Sequence, residues 1–465
     1  MQKQELLKIS AVFSGLLMLN AGFAAGFQIN ELSPTIQATG LANAATSWGD
    51  ISGMAYNPAA LGSIQGTDLY VGGTVIMPHI GYDNAQSTLG VINAFTHQTT
   101  GSLPSPGTVT AENNITPTAV VPTVYLGTSL FPRLTDDRLK IGLGVNAPFG
   151  METNYNDNWV GQFNALQSDI KVIDIFPSLA YQITPRLLAG ASINFENMSA
   201  TYSNNFYADD AVGSIFHVDS VGNSSLTGNA WSVGYTLGLM YHLTATTIIG
   251  ADYHSSVDEG INGKATISGA QTCYIGGSAF PCSRSILPIP PIPGLGTDDG
   301  QVNITLPATA NLGISQMVTP RLTLMAGTEW TQWDTMKGID ADIVNVGNDD
   351  NPLNYHNSWL YSIGASYKVT PKFSVMSGLA YDQTPTTDAF RDARIPDTNR
   401  KWVTLGCAYE STQKLSLFAT YEHIFMNDQS IDLTQQPTAS VSAAHVSADY
   451  SGYANIVAGG LNYVF

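Results

Sequence analysis

Counting back from the last residue, Phe465, Tyr463, Leu461, Gly459 and Val457 share one face, while Val464, Asn462, Gly460, Ala458 and Ile456 share the other. This period-two alternation marks a strand whose two faces meet different surroundings. The same rhythm recurs upstream. Trp231, Val233, Tyr235, Leu237, Leu239, Tyr241 and Leu243 oppose Ser232, Gly234, Thr236, Gly238, Met240 and His242. Tyr361, Ile363, Ala365, Tyr367 and Val369 oppose Ser362, Gly364, Ser366 and Lys368, and Leu415, Leu417, Ala419, Tyr421 and Phe425 oppose Ser416, Thr420 and Glu422. Strands of soluble sandwiches average about five or six residues. These runs reach about ten, the length a tilted strand needs to cross a bilayer, and their aromatics fall near the ends of the apolar face, where the membrane interface would lie.

The connections fall into two kinds. Thr184-Pro185-Arg186, Thr319-Pro320-Arg321 and Thr370-Pro371-Lys372 are short, with Thr244-Ala245-Thr246, Ser411 to Lys414 and Pro132 to Arg138 as relatives. Proline stops a strand because it lacks the ladder N–H. Between these six turns lie seven longer, irregular stretches, about 81–116, 150–168, 204–228, 258–302, 337–357, 385–398 and 428–448. Short turns on one side and long loops on the other are the rule for outer-membrane barrels. The expected fold is an all-β membrane protein: a 14-stranded antiparallel up-and-down transmembrane β-barrel over 67–465. Residues 25–66 show no alternation and are rich in Ala, Gly, Ser and Asn. They are too small and polar to fold alone, and are expected inside the lumen as an N-terminal hatch.

Composition agrees. The 465 residues are 44% hydrophobic but only 12% charged, with 44 Gly and 21 Tyr. No apolar run of about 20 residues follows the N-terminus, so helical spans are not expected. Residues 1–24 read as a signal peptide: Lys3 and Lys8, then Ile9 to Leu19, then Gly22 and Ala24 as the small residues before cleavage. The net charge of −18 argues against nucleic acid as a partner. Of three cysteines, Cys273 and Cys282 could close a loop disulfide in an exported chain, whereas Cys407 reads as a small apolar strand residue. No cofactor or metal motif is present, and no Gly-x-Ser-x-Gly, His-Glu-x-x-His or Gly-rich phosphate loop suggests an enzyme. His242 and His254 read as neutral, hydrogen-bonded residues on lumen-facing positions.

Several blocks resemble one family. Ala25-Gly26-Phe27-Gln28-Ile29-Asn30-Glu31 and Asn57-Pro58-Ala59-Ala60-Leu61 are similar to the start and plug of the outer-membrane transporters of long-chain fatty acids and other hydrophobic compounds. Gly142 to Gly150 resembles that family's third strand. Leu306-Pro307 with Glu329 to Trp333, and Tyr381 to Pro385 with Ile395 to Trp402, follow in the family's order. The resemblance covers the whole mature chain. It implies passive transport: capture in a surface groove, a lumen site near the hatch, and sideways release at a kinked strand. The implied setting is the outer membrane of a Gram-negative bacterium. The expected partners are a hydrophobic small molecule, outer-membrane lipid and lipopolysaccharide, and the barrel assembly machinery, with the chain a monomer.

The residues carry this reading unevenly. Asn146-Ala147-Pro148 is the exit candidate, since Pro148 cannot donate to its neighbour; alternatively it lies past the strand, in an outer loop. Phe27 is expected to touch ligand, and Asn57 and Pro58 to act as a hatch turn that locks or gates. Phe206 and Phe216 in one loop, and Ile286, Leu287 and Ile289 in another, are candidates for the entry groove. The basic lumen residues of fatty-acid-binding members fall at Ser203-Asn204-Asn205 and Asn351-Pro352-Leu353 here, which leaves a neutral substrate open. Lys140, Lys368 and Arg400 could substitute, although Arg400 reads better as a bridge to Asp397 or a lumen carboxylate. The competing reading is a general porin, or a surface adhesin or receptor.

Overall fold

The computed structural model describes residues 26–47, 49–92, 99–211, 216–275, 278–281, 296–343, 347–435 and 444–465. The expected signal peptide lies outside them. Among the described residues, fourteen wall strands form a closed antiparallel barrel. In chain order they are β1 (Thr67–Ile92), β2 (Ala119–Ser129), β3 (Leu139–Asn154), β4 (Gln167–Thr184), β5 (Leu187–Ala211), β6 (Phe216–His242) and β7 (Thr247–His254, resuming as Val257–Ile275). Then follow β8 (Gly296–Leu306, resuming as Thr309–Met317), β9 (Leu322–Thr331), β10 (Ser358–Thr370), β11 (Phe373–Asp382), β12 (Arg400–Glu410), β13 (Leu415–Met426) and β14 (Ala444–Val464). Closure comes from β14 pairing with β1, from Asp68 opposite Val464 to Leu89 opposite Ala444.

Alternation sets the faces. On β6, Trp231, Val233, Tyr235, Leu237, Leu239 and Tyr241 point outward, and Thr236 and Met240 are buried inside. On β14, Val457, Leu461 and Tyr463 point outward and Ile456 and Ala458 inward. An apolar outer band rimmed by aromatics is what a lipid-facing wall requires.

The repeated Thr of the short turns has a structural job. The Thr184 hydroxyl accepts from the Arg186 and Leu187 N–H groups at 3.2 and 3.0 Å. Thr319 does the same for Arg321 and Leu322, Thr370 for Lys372 and Phe373, and Thr412 for Lys414 and Leu415. A hydroxyl bonding N–H groups two and three residues on satisfies donors the turn would otherwise orphan. Both ends of the described chain's wall lie with these turns, since Phe465 N–H donates to the Thr67 carbonyl at 2.9 Å.

The other side departs from the expected irregular loops. Pairing of β5 with β6 continues to Ala211 opposite His217, through most of 204–228, and β7 runs on to Ile275. Gly338–Ile343 with Gly347–Pro352, and Gln429–Gln435 with β14, form further paired ribbons. These stretches lack an apolar stripe because, beyond the bilayer, neither face meets lipid. Register propagates from the wall below without one.

Residues 26–66 contact the inner wall around most of the ring. Helix α1 (Pro34–Gln37) has its Pro34 carbonyl held by the Thr420 hydroxyl of β13 at 2.6 Å. Thr404 of β12 holds the Ala38 carbonyl, Thr74 of β1 that of Glu31, and Tyr125 of β2 that of Leu32, at 2.8–2.9 Å. Thr46 meets Ser315 of β8 at 2.6 Å. The fit depends on inward glycines. A Cβ at Gly238 would strike the Asn57 side chain, one at Gly250 the Ala45 carbonyl, and one at Gly378 the Thr39 backbone.

Candidate functional site

The wall is interrupted at one place where the sequence put a proline. β3 and β2 stay in register from Lys140 opposite Ser129 to Val145 opposite Val124, and then part. On its other edge, β3 pairs Asn146 with Asp174 and Phe149 with Val172, so Ala147 and Pro148 together face Ile173. This is a β-bulge, one extra residue that bends its strand. Pro148 thus lies within β3, not in a loop beyond it. The edge that leaves β2 is taken up by the N-terminal segment. Ile29 N–H donates to the Pro148 carbonyl at 2.7 Å, and Gly150 N–H donates to the Phe27 carbonyl at 2.8 Å. Above Val124, β2 keeps β1 as a wall partner but has lost β3.

Two environments meet behind this kink. Toward the long-hairpin end is an aromatic layer. Phe27, buried, packs on Phe149 and Trp333 with ring centres 5.7 and 5.2 Å apart, and Trp333 on Tyr355 at 5.9 Å. Tyr155 stacks on Trp159 at 4.1 Å, with Tyr82 and Tyr450 against them. Beside the kink is a polar cavity of about 60 Å³, lined by Gln28, Ile29, Asn30, Tyr56, Asn146, Pro148, Asp174, Asp252, His254, Asn311 and Glu329 among others. That space suits a few waters, so a hydrocarbon passing here needs the N-terminal segment or Phe149 to move.

Asn57 ties the segment to the wall. Its Oδ1 accepts from Ala59 N–H at 2.9 Å, while Nδ2 donates to the Ala45 carbonyl at 2.8 Å and the Leu239 carbonyl of β6 at 3.2 Å. Pro58 opens the short 3₁₀ turn that follows. Glu31, at zero exposure, is pushed up to about 7 by burial, with Arg400 opposing the shift and Asp382 adding to it.

Every buried lysine or arginine among the described residues already has an acidic partner. Arg400 pairs with Asp382 at 3.2 Å and with Asp397; Arg394 pairs with Asp392, Arg391 with Asp388, and Lys140 with Asp137. Lys140 sits at the short-turn end beside Ser129, and Lys368 is exposed there.

Of the expected entry residues, Phe206 is the one whose side chain is described. Phe206 is buried against Ile267 rather than exposed, because its ring lies from β5 over Gly222 of β6 and onto Ile267 of the continued β7. Phe216 begins β6, and its side chain is not described. Ile286, Leu287 and Ile289 lie outside the described residues, as does Cys282. Cys273 lies on β7, where its backbone pairs with Phe280 and Val218. The aromatic layer of Tyr82, Tyr155, Trp159 and Tyr450 went unread in the sequence. Its signal was aromatic residues in stretches without alternation, where no lipid face calls for them.

A closed fourteen-stranded barrel with an apolar belt and a lumen-lining N-terminal segment is an outer-membrane barrel. Residues 15–465 match the family described as "Outer membrane protein transport protein (OMPP1/FadL/TodX)". The chain belongs to that family, whose members are transport proteins rather than enzymes. It is 24% identical to Outer membrane protein P1 of Haemophilus influenzae over 97% of each chain. It is 22% identical to the Long-chain fatty acid transport protein of Escherichia coli K12, covering 94% of this chain and 95% of that one. In fold it resembles a Pseudomonas aeruginosa FadL homologue (TM-score 0.79, 23% identity, 95% and 100% covered). It also resembles the Pseudomonas putida toluene transporter TodX (TM-score 0.60, 17% identity, 95% and 100% covered).

Proposed function

We propose that this barrel carries hydrophobic small molecules passively across the outer membrane and releases them sideways at Asn146–Pro148. The observation that carries the reading is the parting of β2 from β3 above Val124, with the freed β3 edge bonded to Phe27–Ile29. In this reading residues 25–66 are a hatch, 67–465 the barrel, and Phe27 with the aromatic layer the place where ligand rests. A molecule arriving at Phe27 moves the two hydrogen bonds that hold the segment to β3 and leaves through the gap. Water-filled passage is disfavoured by the seated segment.

The charge arrangement favours a neutral substrate over a fatty acid. A buried carboxylate needs a counter-charge, and the buried cations are already paired. The toluene transporter among the structural relatives makes a monoaromatic hydrocarbon the first compound to try. Cells expressing the protein should take up such a hydrocarbon faster than cells without it, and a long-chain fatty acid little faster. The purified protein in a planar bilayer should show no large, steady ion current. A steady current with no gain in hydrocarbon uptake would favour the general-porin reading instead.

A further inference from the structure

The lumen wall beside the kink holds ionisable groups that the transport path does not use. Asp174 on β4 and Glu196 on β5 are direct register partners, and both are buried. Like charges directly opposite across a strand pair repel. Glu259, on the continued β7 and also buried, brings a third carboxyl near: its Oε2 accepts at 2.8 Å from the hydroxyl of Ser232, the register partner of Glu196. Among the described residues, no lysine or arginine ion pair reaches these three. The basic group in range is His254, whose Nε2 stands 3.4 Å from Glu196 Oε1.

The free lone pairs point to a ligand. Glu196 is at zero exposure, and neither of its oxygens has a hydrogen-bond donor. Asp174 Oδ2 accepts from Asn194 Nδ2 at 2.6 Å, which fixes the carboxylate and leaves Oδ1 without a donor. His254 is set by the break in β7. Tyr235 N–H donates to Ser255 Oγ at 3.0 Å, and Ser255 N–H to the Tyr235 carbonyl at 2.9 Å, so that His254 and Ser255 both turn inward. One donor atom from each of Asp174, Glu196 and His254 lies within 4.8 Å of the others. Ligands about 2.0–2.1 Å from a tetrahedral zinc stand about 3.4 Å apart, the spacing of His254 and Glu196.

The geometry points to a divalent transition-metal site of the zinc class, with Asp174, Glu196 and His254 as ligands. An imidazole among the donors disfavours magnesium and calcium, which take oxygen. Asn194 is the outer partner that orients Asp174. Asp174 and His254 also line the polar cavity, leaving a fourth position open to it. The ion would neutralise the opposed carboxylates and bolt β4, β5 and β7 together. Since Asp174 is the register partner of Asn146, the bolt sits against the last residue before the bulge.

The test uses the full-length barrel in detergent, stripped with chelator, without an affinity tag, and titrated with Zn²⁺ by calorimetry. The expected result is one equivalent per chain, with affinity falling at least about tenfold in Glu196→Gln and in His254→Asn. Heat-modifiable migration on gels reports whether each variant is folded. The zinc-edge X-ray absorption spectrum of the loaded wild type needs no variant, and should show one imidazole nitrogen with oxygen ligands. No stoichiometric uptake, equal uptake by a folded Glu196→Gln variant, or a spectrum of sulfur or several imidazoles would overturn the site.

Discussion

β5 and β6 keep one register from Leu187 opposite Tyr241 to Ala211 opposite His217, whereas β3 leaves β2 after Val145. Both regions touch the N-terminal segment, but β3 carries a proline and β5 and β6 carry none. On the β6 side the wall is whole, and the segment is held by side chains reaching across, such as Asn57 to Leu239. On the β3 side the segment supplies backbone in place of a wall strand, through Ile29 to Pro148 and Phe27 to Gly150. A barrel has no edges because every strand has two neighbours. Where a proline and a bulge remove one neighbour, an edge returns, and something must cover it. Here the cover belongs to a separate segment and not to a wall strand.

The comparison can be broken from either side. The largest effect is expected at Arg400, whose partner Asp397 also accepts from Gly26 N–H at 3.1 Å, next to the residue that bonds β3. Arg400→Ala removes the guanidinium that pairs with Asp382 and Asp397, and loss of one partner of a buried pair costs about 3–5 kcal/mol. Thermal unfolding followed by gel mobility should show this, and exchange of the Gly150 amide on β3 should rise as the segment held through Gly26 loosens. The next is Gly250→Leu, which drives a side chain into the Ala45 carbonyl. Overpacking costs about 1–3 kcal/mol, and here it should appear as protease cleavage within 26–66 and a new ion current, with the barrel intact.

The smallest is a pH effect on the seating of the segment. Glu31 has an ordinary value of 4.5 when displaced into water and one of about 7 when seated, raised by burial. Below about 4.5 it is neutral in both states, so seating incurs no charge penalty. As pH rises toward 7 the displaced form ionises while the seated form holds its proton, so seating weakens across that window and is weakest above it. Burial sets the shift; the backbone N–H groups of Glu31 and Asn30 and the Arg400 charge oppose it, Asp382 adds to it, and Glu422 is the neighbouring buried carboxyl. Protease cleavage within 26–66 should therefore be faster at pH 8 than at pH 5, and Glu31→Gln should remove the difference. Equal cleavage at both pH values in the native protein would contradict it.

Much of the wall was legible because membrane strands write their two faces in alternation, and because Thr at the turns has a fixed hydrogen-bonding job. The kink was legible for a similar reason: Pro148 in an alternating run announces a missing donor. The long hairpins were not, since Asn- and Ser-rich strands outside the bilayer have no face to mark. Phe206 misled because an aromatic in a polar run reads as exposed, whereas pairing of the hairpins laid it on Ile267. The grouping of Asp174, Glu196 and His254 was out of reach, although His254 was placed on the lumen side, where it read as a neutral, hydrogen-bonded residue. Asp174 and Glu196 face each other across one hairpin closed by the Thr184–Arg186 turn, but His254 stands beyond β6 on β7, and the sequence gives no register between those strands.

The central claim is that the gap between β2 and β3 is the route out. Extending the register from Val124 and Val145 sets Thr123 opposite Asn146, and both face the lumen. Thr123→Cys with Asn146→Cys should form a disulfide that closes the gap, as mass mapping can verify. Hydrocarbon uptake should fall to the level of cells lacking the protein when the pair is oxidised, and should recover on reduction, with the barrel folded in both states. Unchanged uptake with the bridge confirmed would mean that the ligand leaves another way, straight past residues 26–66.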